Sequence, residues 1–236
     1  MIILKKLKNL EYMFYECDSL IDFGELKFLD TSEVTSFSNM FVGNQSLKNV
    51  KPLENWNLSN GQNFSYMFSK CYNLSDLSSL KDWNVSKCIN FSGMFSDCSS
   101  IISIEYLENW NVSKCTNFSS MFYGCGSLYD IKALQNWNVS NSNDLGCYMF
   151  CGCYTIENIE SLSKWNYSKC KYFTNMFYGC NKLTDISPLK GWDVSKGEIF
   201  EGMLRNCFSI EDRTPLTKWG FVKNWELGFN YIKEIF

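Results

Sequence analysis

Twelve cysteines and no histidine define the chemistry open to this chain of 236 residues. Thiols can bind a thiophilic metal, form disulfides or act as nucleophiles. Without an imidazole, Ser-His-Asp and Cys-His catalysis, histidine-ligated metals and a histidine pH switch are excluded. The acidic residues offer no converging pair, and the sequence holds no glycine-rich phosphate loop. We therefore predict a protein that is not an enzyme, with no catalytic residue, no cofactor and no metal.

The spacing of the cysteines favours a structural role. Seven of them share one position of a repeat, at which Asn44 is the exception: Cys17, Cys71, Cys98, Cys125, Cys153, Cys180 and Cys207. Three others share a second position: Cys88, Cys115 and Cys170. A buried column of free thiols packs as small hydrophobic groups that donate weakly. If the column lies on helices, their separation is too large for disulfides.

A metal site is the alternative for the remaining thiols. Cys147, Cys151 and Cys153 lie close together in the sequence, near Cys125 and Cys180 of the adjacent units. Structural zinc prefers cysteine pairs two to four residues apart, and only the spacing from Cys147 to Cys151 qualifies. The column interpretation is therefore preferred.

These cysteines belong to a repeat that runs along the whole chain. The pair Met-Phe recurs every 27 residues from Met13 to Met121, and a single step of 28 residues leads to Met149. A fixed period of this size indicates stacked units that share one core. Tryptophans keep the same interval and are predicted to form a buried structural column: Trp56, Trp83, Trp110, Trp137, Trp165, Trp192 and Trp219. Positions below are counted from this tryptophan as zero.

Apolar spacing within a unit predicts one helix and one short strand. Phe91, Met94, Phe95 and Cys98 follow the i, i+3, i+4, i+7 pattern of a two-turn α-helix. Leucines then recur at every third residue, which suits an extended segment of about three residues, such as 76–78, followed by a turn. Stacked strands are about 4.8 Å apart and packed helices about 8–10 Å, so the stack should curve with its strands on the concave side.

The motif set resembles a known repeat family. Trp-Asn-Val-Ser at Trp83 to Ser86, then Met-Phe-x-x-Cys-x-x-Leu, then Leu-x-x-Trp is similar to the BspA-like leucine-rich repeat surface proteins, with DUF285-type repeats. The resemblance implies a leucine-rich-repeat solenoid and, in some members, adhesion or surface interaction. It brings no catalytic residues. The predicted fold class is an α/β solenoid, a leucine-rich-repeat-like curved stack of about eight 27-residue strand–turn–helix coils.

One domain is predicted over residues 1–236. Residues 1–12 are expected to form an N-terminal capping helix or half repeat, 13–219 the regular repeats, and 220–236 a degenerate helical C-terminal cap. The alternative is that the open frame is a fragment of a longer array. A net charge of −3 with no basic stripe argues against nucleic acid, and no apolar run is long enough to span a membrane.

A candidate protein-binding face follows the predicted strand. Position +20 is short and polar, as in Asp76 and Asp130, and is expected to hydrogen-bond neighbouring coils. Position +22 varies freely and is the candidate contact surface on the concave wall: Lys51, Ser78, Glu105, Lys132, Glu160, Ser187 and Thr214. The predicted function is a non-enzymatic scaffold for protein–protein interaction through the concave strand face, with a partner and an oligomeric state that the sequence does not identify.

The alternative function is a surface adhesin that binds carbohydrate or another host ligand through its tryptophan turns. Asn-x-Ser/Thr sequons such as Asn84 and Asn111 would then be glycosylation sites, although turn chemistry explains both residues of the motif. The N-terminus is a poor signal peptide, and many unpaired thiols favour an intracellular or cytoplasmic location. The family resemblance allows the cell surface or secretion.

Overall fold

The computed structural model describes residues 7–18 and 23–219, which form a stack of coils along one shared core. The coils are numbered from the repeat: 2–28, 29–55, 56–82, 83–109, 110–136, 137–164, 165–191 and 192–218. The predicted N-terminal helix over 1–12 is not formed by residues 7–12, and its first six residues are outside the described ranges. The predicted C-terminal cap over 220–236 is also outside them.

Each coil contributes one short 3-10 helix. These helices span Gly24–Phe28, Lys51–Leu53, Ser78–Leu80, Glu105–Leu107, Lys132–Asn136, Glu160–Leu162, Ser187–Gly191 and Thr214–Lys218. Proline is the second residue of three of them, at Pro52, Pro188 and Pro215, where its fixed φ suits the first turn and its N–H would have no partner within the helix. In 7–18 and 23–219 no other helix forms, and none is long or apolar enough to cross a bilayer.

The predicted α-helix over 91–98 is wrong. Alternate amides of this segment donate to the next coil, as in Phe91 N to Asn117 O at 2.9 Å and Phe95 N to Met121 O at 3.0 Å. The amides between them close tight turns, such as Met94 N to Phe91 O at 3.1 Å. The segment is thus a run of turns that hydrogen-bonds to its neighbour, and it defines the turn face, positions +8 to +15.

Aromatic stacking explains why the helix does not form. The rings of Phe68 and Phe95 stack with centroids 5.9 Å apart. On this face the backbones of successive coils are hydrogen-bonded to one another, which places them about 4.8 Å apart, closer than the axes of packed helices at about 8–10 Å. Turns reach this spacing by taking left-handed backbone at two points, with φ of +60° at both Gly93 and Asp97. Returning to the core at every third or fourth residue produces the same apolar pattern as a helix.

The predicted strand over 76–78 is also wrong. Asp76 makes a single parallel bridge with Asn49, and Ser78 already begins a 3-10 helix. Parallel pairing is more continuous at the start of the turn face, where position +7 forms successive bridges through Asn9, Ser36, Asn63, Asn90, Asn117 and Asp144. The predicted helical wall therefore carries the strand-like pairing. The predicted curvature depended on α-helices on one wall and strands on the other, and the predicted segments form neither.

Three aromatic columns fill the interior. Trp83 stacks on Trp110 at 6.3 Å and Phe95 on Phe122 at 5.9 Å, both nearly parallel, and in the third column Phe91 stacks on Phe118 at 6.0 Å. Methionines at position +11, from Met40 to Met203, are fully buried. Burying each such side chain contributes about 1.5–3 kcal/mol, so the stack is stabilised chiefly by contacts between coils.

Coil 6 accommodates its extra residue on the turn face. Phe118 N donates to Asp144 O, but the next inter-coil bond joins Ser120 N to Cys147 O, three residues on instead of two. The additional residue therefore forms a bulge at Leu145 and Gly146, after which the register is restored.

Candidate functional site

The predicted binding column occupies one repeated structural position. Every one of its seven residues is exposed and is the first residue of a 3-10 helix. The column and the helices that it begins, positions +20 to +24, are called the helix face. Its side chains are Lys51, Ser78, Glu105, Lys132, Glu160, Ser187 and Thr214. Their backbones are equivalent while their chemistry differs from coil to coil.

The side chain at position +20 fixes the backbone of the column residue at +22. Asp76 Oδ1 accepts from Ser78 N at 2.9 Å, and Asp130 Oδ1 accepts from Lys132 N at 2.9 Å. These turns within one coil replace the predicted side-chain bonds between neighbouring coils. The hydroxyl and amide of Ser78 lower the pKa of Asp76, which keeps the turn carboxylate ionised.

A cleft opens on the helix face between coils 5 and 6. Its volume is about 390 Å³, and its lining includes Tyr129, Lys132, Glu160, Ser161 and Lys164. Within 7–18 and 23–219, the buried Ser161 Oγ has no hydrogen-bond partner. Two members of the predicted column, one basic and one acidic, thus border a cleft of mixed charge.

A second, larger cavity lies at the other end of the helix face. It measures about 620 Å³ and is lined in part by Phe23, Leu47, Lys48, Lys51 and Pro52. A further member of the column, Lys51, therefore borders a concave and more apolar surface. Such surfaces accept side chains of a partner.

The cysteines at +15 have a defined bonding role. Cys98 Sγ donates to Phe68 O at 3.0 Å, and the same bond, to the phenylalanine of the preceding coil, is made by Cys71, Cys125, Cys153, Cys180 and Cys207 at 3.0–3.3 Å. Asn44 replaces the thiol with its amide, which donates to Phe14 O at 2.7 Å. Cys17 belongs to the first coil and is exposed. The column thus links coils through side-chain donors.

Cys147, Cys151 and Cys153 do not converge. Cys153 Sγ points to Phe122 O, the pKa of Cys147 is raised by burial and by Asp144, and Cys151 lies on the turn face. No group of three potential metal ligands forms among residues 7–18 and 23–219. The second cysteine column is separate, since Cys88 Sγ donates within its own coil to Asn90 O at 3.4 Å.

Tryptophan side chains do not form an exposed platform. The seven indoles are only 2–5% exposed, so no ring face is open to a sugar. Trp110 Nε1 donates to Leu80 O at 3.0 Å, which ties the first residue of coil 5 to the end of coil 3. The adhesin hypothesis based on tryptophan turns is therefore wrong in its binding residues. Beside each turn, as at Asn84, the side-chain oxygen accepts from the serine amide two residues on, here Ser86 at 3.2 Å.

Sequence reasoning missed a group of tyrosines on the turn face and at position +16 directly after it. Tyr123, Tyr148 and Tyr154 are exposed, and the first two rings meet edge to face at 6.4 Å. The available signal was a glycine at +14 in three successive coils, Gly124, Gly152 and Gly179, after Lys70 and Asp97 in coils 3 and 4; coil 2 also has a glycine there, Gly43.

Comparison with known proteins identifies one family. The family described as "Mycoplasma protein of unknown function, DUF285" matches residues 8–105 and 101–219. No curated protein matches the chain.

Among solved structures, internalin C2 of Listeria monocytogenes is 12% identical, covers 80% of this chain and 74% of its own, and has a TM-score of 0.26. A leucine-rich repeat protein of Bacteroides ovatus is 17% identical, covers 85% and 62%, and has a TM-score of 0.27. An internalin of Listeria monocytogenes is 14% identical, covers 88% and 78%, and has a TM-score of 0.18. These scores are too low to transfer structural detail.

Proposed function

Because this chain belongs to the Mycoplasma DUF285 family, whose function is unknown, we propose its function from its own surface. The protein is a non-enzymatic repeat scaffold that binds a protein partner through the helix face. One observation carries this proposal: seven side chains of different chemistry project from seven equivalent, exposed helix starts. A rigid frame with variable side chains is the arrangement by which repeat proteins bind extended partners.

The helix face also has clefts and charged side chains that such a partner can contact. Clefts of about 390 Å³ and 620 Å³ border Lys132, Glu160 and Lys51 of the column. Charges of both signs favour a partner with a complementary pattern over a uniformly charged polymer. The asparagine and aspartate turns at +20 fix the backbone beneath, so little ordering is needed when a partner binds.

Location on the cell surface fits this scaffold. The free thiols do not indicate a reducing compartment, because the cysteine thiols at +15 are buried and donate to carbonyl groups of the preceding coil. Digestion of intact cells by an added protease tests the location. Protection of the protein until the cells are lysed would contradict it.

The binding proposal is tested by one triple variant. Lys51→Ala, Lys132→Ala and Glu160→Ala together remove charges from both clefts without touching a buried group. A partner captured by the wild-type protein and identified by mass spectrometry should bind the triple variant at least about tenfold more weakly in titration calorimetry.

A matched triple variant controls for charge. Lys87→Ala, Lys114→Ala and Glu201→Ala remove the same charges from exposed positions outside the helix face. This control should bind the partner like the wild-type protein, with an unchanged unfolding midpoint in both variants. The assignment to the helix face would be wrong if both variants lost binding equally, or if neither variant lost it.

A further inference from the structure

A second surface with different chemistry lies on, and directly after, the turn face of coils 4–6. It comprises Asp97, Tyr123, Tyr148, Cys151 and Tyr154, and is called the tyrosine patch. Its tyrosines are well exposed, at 38% for Tyr123, 37% for Tyr148 and 54% for Tyr154. Tyrosine also occurs at these positions in other coils, as in Tyr15, Tyr66 and Tyr72, but Tyr154 has glycines of both neighbouring coils beside its ring.

Glycines create the space in which Tyr154 lies. A Cβ atom on Gly126 would be 3.2 Å from Tyr154 Cδ2, and one on Gly179 would be 3.4 Å from Tyr154 Cε1. These glycines belong to coils 5 and 7, so the ring of a coil 6 residue extends across both neighbours. Tyr154 therefore rests on backbone and exposes much of its ring, as an aromatic platform does.

Asp97, in coil 4, is positioned by the same device. A Cβ atom on Gly124 would lie only 2.4 Å from Asp97 Oδ1, so the carboxylate occupies the space that a side chain would take. Partial burial raises the pKa of Asp97, which means that its oxygens are incompletely solvated. The patch thus combines ring surface with a carboxylate that can accept hydrogen bonds.

The charge environment limits the ligand class. The pKa of Tyr123 is raised by Cys151 first, then by burial, Asp97, Tyr154 and Tyr148, and none of these groups is basic. Lys70 supplies one positive charge near Asp97, but the patch itself holds no basic group and carries the Asp97 carboxylate. Its own groups therefore favour a neutral ligand over a phosphorylated, sulfated or sialylated one.

Two neutral ligand classes use aromatic surfaces, and Asp97 distinguishes between them. A proline-rich peptide packs on such rings but brings few N–H donors, since proline has none. A sugar presents C–H groups to the ring and several hydroxyl donors around its edge. Carboxylate and tyrosine hydroxyl oxygens can accept those donors.

We propose that the tyrosine patch binds a neutral saccharide, with Tyr154 stacking under one sugar ring and Asp97 accepting from its hydroxyls. This site is distinct from the helix face and does not depend on the protein-binding proposal. It also differs from binding through tryptophan, because all ring surface in the patch comes from tyrosine.

Calorimetric titration of the full chain tests the site. The probes are neutral pentasaccharides of glucose and of N-acetylglucosamine, chosen from the hits of a neutral glycan array, with sialyllactose as the anionic comparison. The wild-type protein should bind at least one neutral probe and not sialyllactose. Tyr154→Ala should weaken that binding at least about tenfold, and Asp97→Asn by a smaller factor.

Tyr72→Ala is the matched control. Tyr72 occupies the same repeat position in coil 3, is also exposed, and lies outside the patch. It should leave saccharide binding unchanged, and near-ultraviolet circular dichroism should show native packing in all variants. The proposal is overturned if no neutral glycan binds, if Tyr154→Ala binds like the wild-type protein, or if a decaproline peptide binds to the patch instead.

Discussion

Tyr167 and Trp192 stack with ring centroids 3.7 Å apart, closer than any other ring pair among the described residues. Tyr167 stands at +2, where most other coils carry valine or leucine, such as Val112, and coil 2 carries Thr31. Its hydroxyl and Trp192 Nε1 are both buried and, within the described ranges, both lack a hydrogen-bond partner. The added ring improves packing while leaving polar atoms unsatisfied.

Tyr167→Phe should therefore stabilise the protein. Removing a buried hydroxyl that has no partner relieves a desolvation cost of about 1–3 kcal/mol, and the ring contact with Trp192 is kept. Chemical unfolding monitored by circular dichroism measures the change. Tyr172→Phe, at a tyrosine that is 37% exposed, is the control and should have little effect. A clear loss of stability in Tyr167→Phe would show that its hydroxyl is satisfied.

Two tryptophans of the same column should respond differently to phenylalanine. Trp110 Nε1 bonds to Leu80 O, whereas Trp192 Nε1 has no partner among the described residues. Both substitutions lose ring area, but only Trp110→Phe also removes a hydrogen bond. Leu80 O then keeps a single donor, Trp83 N at 3.2 Å. We expect Trp110→Phe to cost about 0.5–1.5 kcal/mol more than Trp192→Phe in the same unfolding assay. Equal costs would contradict a stabilising role for the indole bond.

Asn44→Cys should be tolerated and should raise stability. The asparagine amide donates to Phe14 O and Phe41 O, but its buried Oδ1 has no partner within 7–18 and 23–219. Cysteine keeps a donor at this position, as it does in later coils, and removes the unsatisfied oxygen. An increase of about 1 kcal/mol in unfolding free energy is expected. Asn44→Ala, which removes the donor as well, should be less stable than Asn44→Cys; the reverse order would refute the role of the thiol bond.

Alkaline pH should destabilise the stack through its thiols. Burial raises the pKa of Cys71 and Cys207 from an ordinary 9.0 to about 12. Above pH 9 the unfolded chain loses these protons while the folded chain keeps them. The contribution of these protonated thiols to the free energy of unfolding is therefore complete below pH 9. It is lost as pH rises towards 12, by up to about 1.4 kcal/mol per pH unit for each thiol.

Urea unfolding across this pH window, for the wild-type protein and Cys71→Ser, measures the effect. Serine keeps a donor and does not ionise there, so the stability of the variant should fall less steeply with pH. Because other groups titrate in the same range, the difference between the two slopes is the informative quantity. Parallel slopes would mean that Cys71 ionises as readily in the folded state as in the unfolded one.

The repeat and its buried residues were predictable, whereas the backbone was not. A fixed interval between Met94 and Met121 identifies equivalent environments whatever the local conformation is. The spacing from Phe91 to Cys98, however, is the same for an α-helix and for turns that return to the core at similar intervals. Left-handed backbone at Asp97 decides between them, and aspartate at this position gives only a weak indication of it.

Of the two candidate surfaces, one was predicted from the sequence and the other was missed. The exposed column from Lys51 to Thr214 was found because variation stands out against a regular repeat. The tyrosine patch was missed because its residues come from different repeat positions. Only the close approach of Tyr154 to glycines of two other coils brings them together.

The inter-coil bond between Cys98 and Phe68 is repeated, with the same geometry, between Cys125 and Phe95. Loss of residues 84–110 would join Trp83 to Asn111 and bring equivalent partners into contact again. Recombination between homologous gene segments could therefore lengthen or shorten the molecule by whole units. Each event would change the length of the stack by about 4.8 Å without requiring a newly evolved interface.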